Sequence, residues 1–271
     1  MNRLLPVRQV AKPWGRNRLP APFVTPPESS NGGERIGEIW FEPPPELLQL
    51  LVKYIFTSEK LSVQVHPSDV QAPGHGKEEC WLIVAAEPDA IIGIGFREPL
   101  GAEKMRKAAL DGSIEQLLEW HPVSPGDFFY IPANTVHGIG AGVSLIEVQQ
   151  NSDVTYRLFD YDRPRELHLD EGVAVARGER YPQSLRTSAP LGESVRLAQG
   201  PLFRLCQVTG DTKERFAADL SADPLLVIPR DQPAQVAGQE IAPGQCGLAL
   251  SVAEVSLAAQ GTYLLAQPRT P

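Results

Sequence analysis

Residues Gly126–His137, with the sequence GDFFYIPANTVH, indicate the fold most directly. A glycine precedes a run of aromatic and apolar residues, a proline ends the run, and a polar turn leads to a histidine. Runs rich in aromatic and β-branched residues between glycine and proline are typical of short β-strands. The pattern therefore predicts a strand that ends near Pro132, with His137 placed just beyond the strand by the turn.

Similar short runs recur along the chain, which contains 23 glycines and 26 prolines among 271 residues. Hydrophobic residues make up 42% of the chain and charged residues 21%, so there is enough apolar material for a core. The sequence predicts a mainly β fold: a jelly-roll β-sandwich or barrel, followed by a second, smaller β-sandwich unit. Helical spacing at about 100–121 predicts a short helical insertion, in which Ser113 and Gln116 fit a capping box.

The histidines divide the chain, because all 5 lie within the first 168 residues. Histidine-based chemistry is therefore expected in a catalytic domain at 1–176. A polar stretch at 177–189 predicts a linker, and 190–271 predicts a C-terminal β domain that covers the first sandwich and supplies no metal ligands. Leu51–Phe56 and Leu61–Val65 flank a short polar turn and are expected to pair as a hairpin.

Charge and hydropathy disfavour two classes of partner. The net charge is −8, whereas proteins that bind nucleic acid generally present a basic face. No run approaches the ~20 apolar residues of a membrane helix, and the N-terminal residues lack the apolar core of a secretory signal. The 3 cysteines are widely spaced, which is typical of a reducing compartment. We expect a cytoplasmic protein that binds neither nucleic acid nor membrane; its oligomeric state is not indicated.

A second motif, LSVQVHP, places three polar side chains on one face of a predicted strand. Side chains alternate along a strand, so Ser62, Gln64 and His66 point the same way. Such a face is expected to contact solvent or a polar site rather than a hydrocarbon core. In the GKEECW motif that follows, Lys77 and Glu79 share a face for the same reason.

Together these motifs supply two imidazoles, a carboxylate and an amide oxygen, from Gln64, His66, Glu79 and His137. This donor set suits Zn²⁺ or a similar first-row divalent ion, with room for water or substrate. A divalent ion beside one carboxylate leaves about +1 by formal counting, so the site would attract an anion or a developing alkoxide. The alternative is that the two histidines are unrelated residues at strand ends.

Five sequence blocks carry a wider resemblance: GEIW (Gly37–Trp40), LSVQVHP (Leu61–Pro67), GKEECW (Gly76–Trp81), GDFFYIPANTVHGIGAG (Gly126–Gly142) and IEVQQNSDVTYRLFDYDR (Ile146–Arg163). In this order they resemble type I phosphomannose isomerases in their short bacterial form, a family of the cupin superfamily. The resemblance covers residues 10–172, whereas the C-terminal part is similar only in being a β unit poor in motifs.

The resemblance implies one Zn²⁺ per chain, bound by Gln64, His66, Glu79 and His137. Some short members of the family are described with only the two histidines and the glutamate. The resemblance therefore leaves open whether Gln64 is a ligand.

The resemblance also implies roles for other side chains. Arg157 of the TYR motif matches a catalytic residue, Lys77 matches an active-site lysine, and Glu147 matches an acidic residue near the active site. Lys53 and Ser62 match positions associated with substrate binding.

The reaction implied by the resemblance interconverts mannose 6-phosphate and fructose 6-phosphate, so the partner is a phosphorylated hexose. An aldose–ketose isomerisation moves a proton between C1 and C2. It needs a base, stabilisation of an enediol(ate) and a binding site for the phosphate. The metal and Arg157 would both stabilise developing negative charge. Lys12, Lys53 and Lys77 are candidates for binding the phosphate, and either Glu147 or Lys77 could be the base.

Three other functions are compatible with the motifs. An isomerase acting on glucose 6-phosphate would use the same groups. A cupin dioxygenase usually needs an HxH motif with redox-active iron or copper, whereas Gln64 occupies the first of those positions. A non-catalytic sugar-binding cupin would be expected to have lost ligands.

Arg157 also has a structural alternative, an ion pair with Asp160 or Asp162. The run Asp160–Glu166 is expected to be a solvated loop, and His168 is expected to lie on an edge strand.

Overall fold

A computed structural model of the chain describes residues 3–25, 33–217, 220 and 223–269. The strands in these ranges are β1 Val7–Arg16, β2 Ile36–Phe41, β3 Leu50–Phe56, β4 Val63–Val65, β5 Glu79–Ala86, β6 Ile91–Phe96, β7 Leu118–Pro122, β8 Asp127–Ile131, β9 His137–Ile139, β10 Val143–Gln150, β11 Tyr156–Phe159, β12 Arg186–Ser188, β13 Val195–Gln199, β14 Phe203–Thr209, β15 Leu225–Pro229, β16 Ala234–Val236, β17 Gln239–Ile241, β18 Gly247–Ala249, β19 Val255–Leu257 and β20 Thr262–Pro268.

The α-helices are short: α1 Ala102–Asp111, α2 Ile114–Leu117, α3 Leu169–Val175 and α4 Lys213–Ala217. Single 3₁₀ turns occur at Pro45–Leu47, Gln183–Leu185, Gly210–Thr212 and Val252–Glu254. None of the helices in the described part of the chain has the length and apolar character to span a membrane.

The strands form antiparallel sheets that stack in layers. The first sheet has the order β1-β2-β3-β10-β5-β8-β12, and the second has the order β11-β4-β9-β6-β7. In the C-terminal part, the third sheet has the order β13-β14-β20-β15-β18 and the fourth has the order β17-β16-β19. The predicted fold class is confirmed: a β-sandwich with a short helical insertion, followed by a second, smaller β-sandwich unit.

The first sheet is buried on both faces because its side chains alternate between two cores. Trp81 of β5 packs with Ile92 of the second sheet, inside the first sandwich. The neighbouring Cys80 points the other way, into a core that includes Phe203 of the third sheet. The C-terminal unit therefore covers the outer face of the first sandwich, as expected, and Cys80 is a buried thiol.

We expect the core between the first and third sheets to contribute strongly to stability. Phe128 of β8 is fully buried there. Replacing it by alanine removes apolar contacts and leaves a cavity, so Phe128→Ala should lower the free energy of unfolding by about 3–5 kcal/mol. Urea denaturation measures this change. Leu110→Ala, at a position 66% exposed on α1, is the control and should change it by no more than about 0.5 kcal/mol. Equal effects of the two substitutions would contradict the described packing.

The predicted hairpin is wrong. β3 pairs with β2 and β10 in the first sheet, whereas β4 pairs with β9 and β11 in the second. The polar turn between β3 and β4 carries the chain from one sheet to the other. Val63 and Val65 thereby reach the core beneath the helices, which includes Met105. Burial of these side chains, rather than the length of the turn, selects the pairing.

The helical insertion is confirmed, but it is shorter than predicted. The chain leaves the helical conformation after α2, and Leu118–Pro122 forms β7, which pairs with β6. The predicted capping box is also wrong. The Ser113 hydroxyl donates to Asp111 Oδ1 over 2.5 Å and makes no capping hydrogen bond to the helix.

The stretch predicted as a linker contains regular structure. Residues Arg186–Ser188 form β12, which pairs with β8 at the edge of the first sheet. The backbone N–H of Arg177 donates to the Asn134 carbonyl oxygen over 2.8 Å. The division into domains at 1–176 and 190–271 stays a prediction.

Candidate metal centre and active site

Three strands bring two histidines and a glutamate to one point inside the first sandwich. His66 directly follows β4, Glu79 begins β5, and His137 begins β9. Gln64 pairs in register with His137, and the centroids of the two imidazole rings are 4.9 Å apart. The turn before β9 requires Asn134 to adopt φ = 73°, a left-handed conformation that asparagine tolerates better than most residues.

The side chains of His66, Glu79 and His137 form a buried triad. The Nε2 atom of each histidine lies 3.4 Å from one oxygen of the Glu79 carboxylate, His66 from Oε2 and His137 from Oε1. All three potential ligand atoms lie within 4.8 Å of one another. Each residue is at most 2% exposed. This arrangement can hold a metal ion.

Both histidines are arranged to be neutral ligands. His66 Nδ1 lies 2.9 Å from the Val154 carbonyl oxygen, and His137 Nδ1 lies 2.9 Å from that of Thr135. A carbonyl oxygen only accepts, so each Nδ1 carries the proton and each Nε2 lone pair faces Glu79. Burial, followed by the charge of Lys77, lowers the pKa of His66 to about 3. Burial also lowers the pKa of His137, despite the opposing effect of Glu79.

Glu79 provides the test of whether a cation fits. Neither of its buried carboxylate oxygens has a hydrogen bond of good geometry from the described residues. Its nearest cation is Lys77, whose Nζ lies 2.9 Å from Oε2. Burial is the largest influence on the pKa of Glu79 and raises it, but Lys77 and the two histidines together outweigh burial, and the net shift is well downward. An ionised buried carboxylate without hydrogen bonds is costly, so a divalent cation between Glu79 and the two imidazoles fits the residues present.

Gln64 is adjacent to the triad, but its amide oxygen points away from it. The Gln64 Nε2 atom lies 3.2 Å from His137 Nε2, and its Oε1 atom accepts a hydrogen bond from the Ser62 hydroxyl over 3.1 Å. A half-turn of the amide would exchange the two atoms and present the oxygen to the triad. The role of Gln64 as a ligand stays a prediction.

A cavity of about 450 Å³ lies beside the triad. Gln64 and Lys77 line the cavity and contact the triad, so they connect the two. The other predicted site residues also line this cavity: Lys12, Lys53, Ser62, Glu147 and Arg157. The fold therefore brings all the predicted site residues to one place.

One wall of the cavity is a row of side chains in register across the first sheet. Trp40, Lys53, Glu147 and Trp81 are successive cross-strand neighbours on β2, β3, β10 and β5. Lys53 Nζ lies 3.1 Å from Glu147 Oε1, and the Trp81 indole donates to Glu147 Oε2 over 2.9 Å. Both oxygens of Glu147 are thus oriented by neighbours. Lys53 Nζ also lies 4.5 Å from the centroid of the Trp40 ring.

Glu38 extends this wall and is a site residue that the sequence analysis did not single out. It is buried, its Oε1 lies 3.2 Å from Lys12 Nζ, and its Oε2 accepts a hydrogen bond from the Trp40 indole over 2.5 Å. Burial raises the pKa of Glu38, but the charges of Lys53 and Lys12 and the hydrogen bonds from Trp40 and Lys12 together outweigh burial, and the net shift is downward. The GEIW motif contained the signal, because alternation places Glu38 and Trp40 on one face.

Arg157 lines the cavity and does not form the ion pair considered as its structural alternative. Its Nε donates to the Glu166 carbonyl oxygen over 3.1 Å. Among the described residues, the partners of Asp160 are Arg163 and Arg165. Asp160 is therefore already engaged by two other arginines.

Arg165 and His168 are among the further cavity residues that the sequence analysis missed. The run Asp160–Glu166, expected to be a solvated loop, has its Asp160 buried and its Arg165 on the cavity wall. His168 precedes α3 and does not lie on an edge strand. The spacing of polar residues in this run is irregular, so no strand or helix period indicated which side chains turn inward.

Comparisons with known proteins agree with these observations. No protein-family model matches the chain. The mannose-6-phosphate isomerase ManA of Bacillus subtilis is 44% identical over 137 residues, covering 46% of this chain and 43% of that protein. The chain thus matches less than half the length of this curated relative.

Solved structures extend the likeness to the whole fold. A mannose 6-phosphate isomerase from Bacillus subtilis superposes with a TM-score of 0.72 at 22% identity, covering 98% of this chain and 99% of that one. A zinc-bound mannose 6-phosphate isomerase superposes with a TM-score of 0.67 at 14% identity, covering 99% of each chain.

The sequence match and the shared fold confirm the resemblance found from the motifs. The chain is a sequence relative of the mannose-6-phosphate isomerases over just under half of its length, and it has their fold over nearly all of it.

Proposed function

We propose that the chain is a metal-dependent aldose–ketose isomerase that interconverts mannose 6-phosphate and fructose 6-phosphate through an enediol(ate). The observation that supports this most strongly is the buried triad of His66, Glu79 and His137 beside a cavity lined by charged side chains. The names of the relatives, mannose-6-phosphate isomerases, indicate the substrate.

We propose Zn²⁺ as the metal, one per chain, held by His66, Glu79 and His137, with Gln64 as a fourth ligand after a half-turn of its amide. A solved relative is described as zinc bound, and nitrogen and carboxylate donors suit this ion. A bound divalent cation would polarise a carbonyl oxygen and stabilise the negative charge of an enediolate.

The chain's own residues would bind the sugar and move the proton. Glu147 is the candidate base, because its carboxylate lines the cavity and is held in one orientation by Lys53 and Trp81. Lys77 is the alternative base. Arg157 presents positive charge to the cavity and would stabilise negative charge as the enediolate forms.

Lys53, Ser62 and Lys12 are proposed to contact the substrate. Each lines the cavity. Lys53 is additionally needed to hold Glu147, so it would bind substrate and position the base together. The cytoplasmic location stays a prediction from the sequence.

A coupled assay of mannose 6-phosphate conversion tests the proposal. The purified protein is assayed as isolated, after chelation, and after zinc is added back. We expect activity to disappear with the chelator and return with zinc, because the triad supplies only electron-pair donors and the bound cation would supply the Lewis acid. A folded, zinc-loaded sample without activity would contradict the proposal.

The same samples distinguish the other functions. Conversion of glucose 6-phosphate at a comparable rate would broaden the substrate class. A metal analysis that finds iron or copper instead of zinc would favour a dioxygenase. Sugar binding without turnover would favour a non-catalytic cupin.

A further inference from the structure

The positive charges of the cavity differ in how they are compensated. Three lysines of the cavity wall lie on the first sheet or just before its strand β5, and each ammonium nitrogen is within 3.2 Å of a buried carboxylate oxygen. The pairs are Lys12 with Glu38, Lys53 with Glu147, and Lys77 with Glu79. These ammonium groups are therefore neutralised within the protein. They offer a dianionic phosphate less net attraction than their number suggests.

Arg157 differs from these lysines; it lies at the end of the cavity formed by β11 and the segment that follows it. Arg157 and Arg165 both line the cavity there. No carboxylate among the described residues lies within ion-pair distance of the Arg157 guanidinium, whose Nε is bound to a backbone carbonyl oxygen. Burial, and next the charge of Arg165, lowers the pKa of Arg157. The two guanidinium groups thus repel each other, which an anion between them would relieve.

Asp160 fixes the orientation of Arg165. The buried Asp160 carboxylate accepts hydrogen bonds from Arg165 Nε and Nη2, both over 2.6 Å. A bidentate contact of this kind fixes the plane of the guanidinium. Asp160 also accepts a hydrogen bond from Arg163 Nη1 over 3.2 Å, and Arg163 in turn contacts Glu59 Oε2 at 3.2 Å. Both of these arginines therefore have carboxylate partners, and Arg157 is the guanidinium at this end of the cavity that has none among the described residues.

His168 adds a donor to the same corner. Its backbone N–H donates to the Arg157 carbonyl oxygen over 2.8 Å, and its Nδ1 accepts a hydrogen bond from the Arg157 N–H over 3.2 Å. Because Nδ1 accepts, the proton of the neutral imidazole is on Nε2. These two hydrogen bonds close the segment between residues 157 and 168 and bring Arg165 back to the cavity. Asp153 also lines the cavity but pairs with neither arginine in the described structure.

We propose that Arg165 and His168, next to Arg157, form the subsite that binds the phosphate group of the substrate, with Asp160 as the positioning residue for Arg165. This inference rests on the proposed function. It assigns phosphate binding to Arg165 and His168 rather than to the lysines of the opposite wall. Planar guanidinium groups bind phosphate oxygens in a bidentate manner, which lysine cannot do.

The test compares Arg165→Gln with the parent protein on phosphorylated and unphosphorylated mannose. We expect the KM for mannose 6-phosphate to rise about 10- to 100-fold, with kcat changed much less. This factor corresponds to the free energy of a hydrogen bond to a charged group. We expect the rate with unphosphorylated mannose, assayed at high sugar concentration, to be the same in Arg165→Gln and in the parent. A variant that is merely less well folded would lose activity on both sugars equally.

Inorganic phosphate provides a readout that does not depend on turnover. Calorimetric titration of the zinc-loaded protein should show phosphate binding that weakens at least ~10-fold in Arg165→Gln. Arg163→Gln is the matched control, because Arg163 shares Asp160 but does not line the cavity, and it should bind phosphate like the parent.

Two results would separate the inference from the proposed function. Isomerase activity in the parent together with unchanged KM and phosphate binding in Arg165→Gln would overturn the phosphate subsite and leave the function intact. Phosphate binding that depends on Arg165 in a protein without isomerase activity would support the subsite and overturn the function.

Discussion

Glu79→Gln should abolish zinc binding and nearly all isomerase activity. The substitution keeps the size of the side chain but removes the negative charge that lies 3.4 Å from both imidazole nitrogens. Loss of a polarising metal ion costs several kcal/mol of transition-state stabilisation, so we expect turnover to fall by at least about 10³-fold. Metal analysis of the purified variant and the coupled assay measure the two effects.

The neighbouring Glu78→Gln is the matched control for this substitution. The Glu78 carboxylate accepts a hydrogen bond from the Tyr130 hydroxyl and lies outside the triad. This variant should keep its zinc and most of its activity. Full zinc occupancy in Glu79→Gln would show that the triad is not the metal site. Circular dichroism of both variants checks folding, because Glu79→Gln leaves the buried Lys77 without its partner.

Arg157→Ala should lower turnover by at least ~10²-fold while zinc content stays unchanged. Arg157 lines the cavity but contacts none of the triad residues in the described structure. Its proposed role is therefore on the reacting sugar rather than on the metal. Removal of a positive charge that stabilises the developing enediolate is expected to lower kcat.

Arg163→Ala is the control for Arg157→Ala, since it removes an arginine from the same segment without opening the cavity wall. We expect this control to retain activity within about threefold, as for a partly exposed ion pair. Parallel loss of zinc and activity in Arg157→Ala would contradict a role on the substrate and indicate a structural one.

The local pattern of the sequence predicted which side chains share a face near the triad. Alternation along a strand placed Gln64 and His66 on one face and Cys80 opposite Glu79, and the structure has both arrangements. This succeeds because the side-chain period of a strand depends only on the local backbone. The turn before His137 is equally local, since Asn134 supplies its left-handed conformation.

The pairing of strands did not follow from the sequence in the same way. The turn after β3 is compatible with a hairpin, yet β3 pairs with β10, which lies far along the chain. Partners in a sheet are selected by the burial of both faces at once, and this depends on elements distant in sequence. The strand at 118–122 and the edge strand at 186–188 were missed for the same reason.

The sequence by itself determined the fold class and the faces on which Gln64, His66, Glu79 and Cys80 lie, because these depend on local periodicity. Only the tertiary structure decided which charges are compensated. Lys53 and Glu147 are 94 residues apart and meet through cross-strand register, whereas the Arg157 guanidinium has a backbone acceptor and no carboxylate partner among the residues that the structure describes. Charge compensation depends on distances in space, and these are fixed only when the sheets have packed.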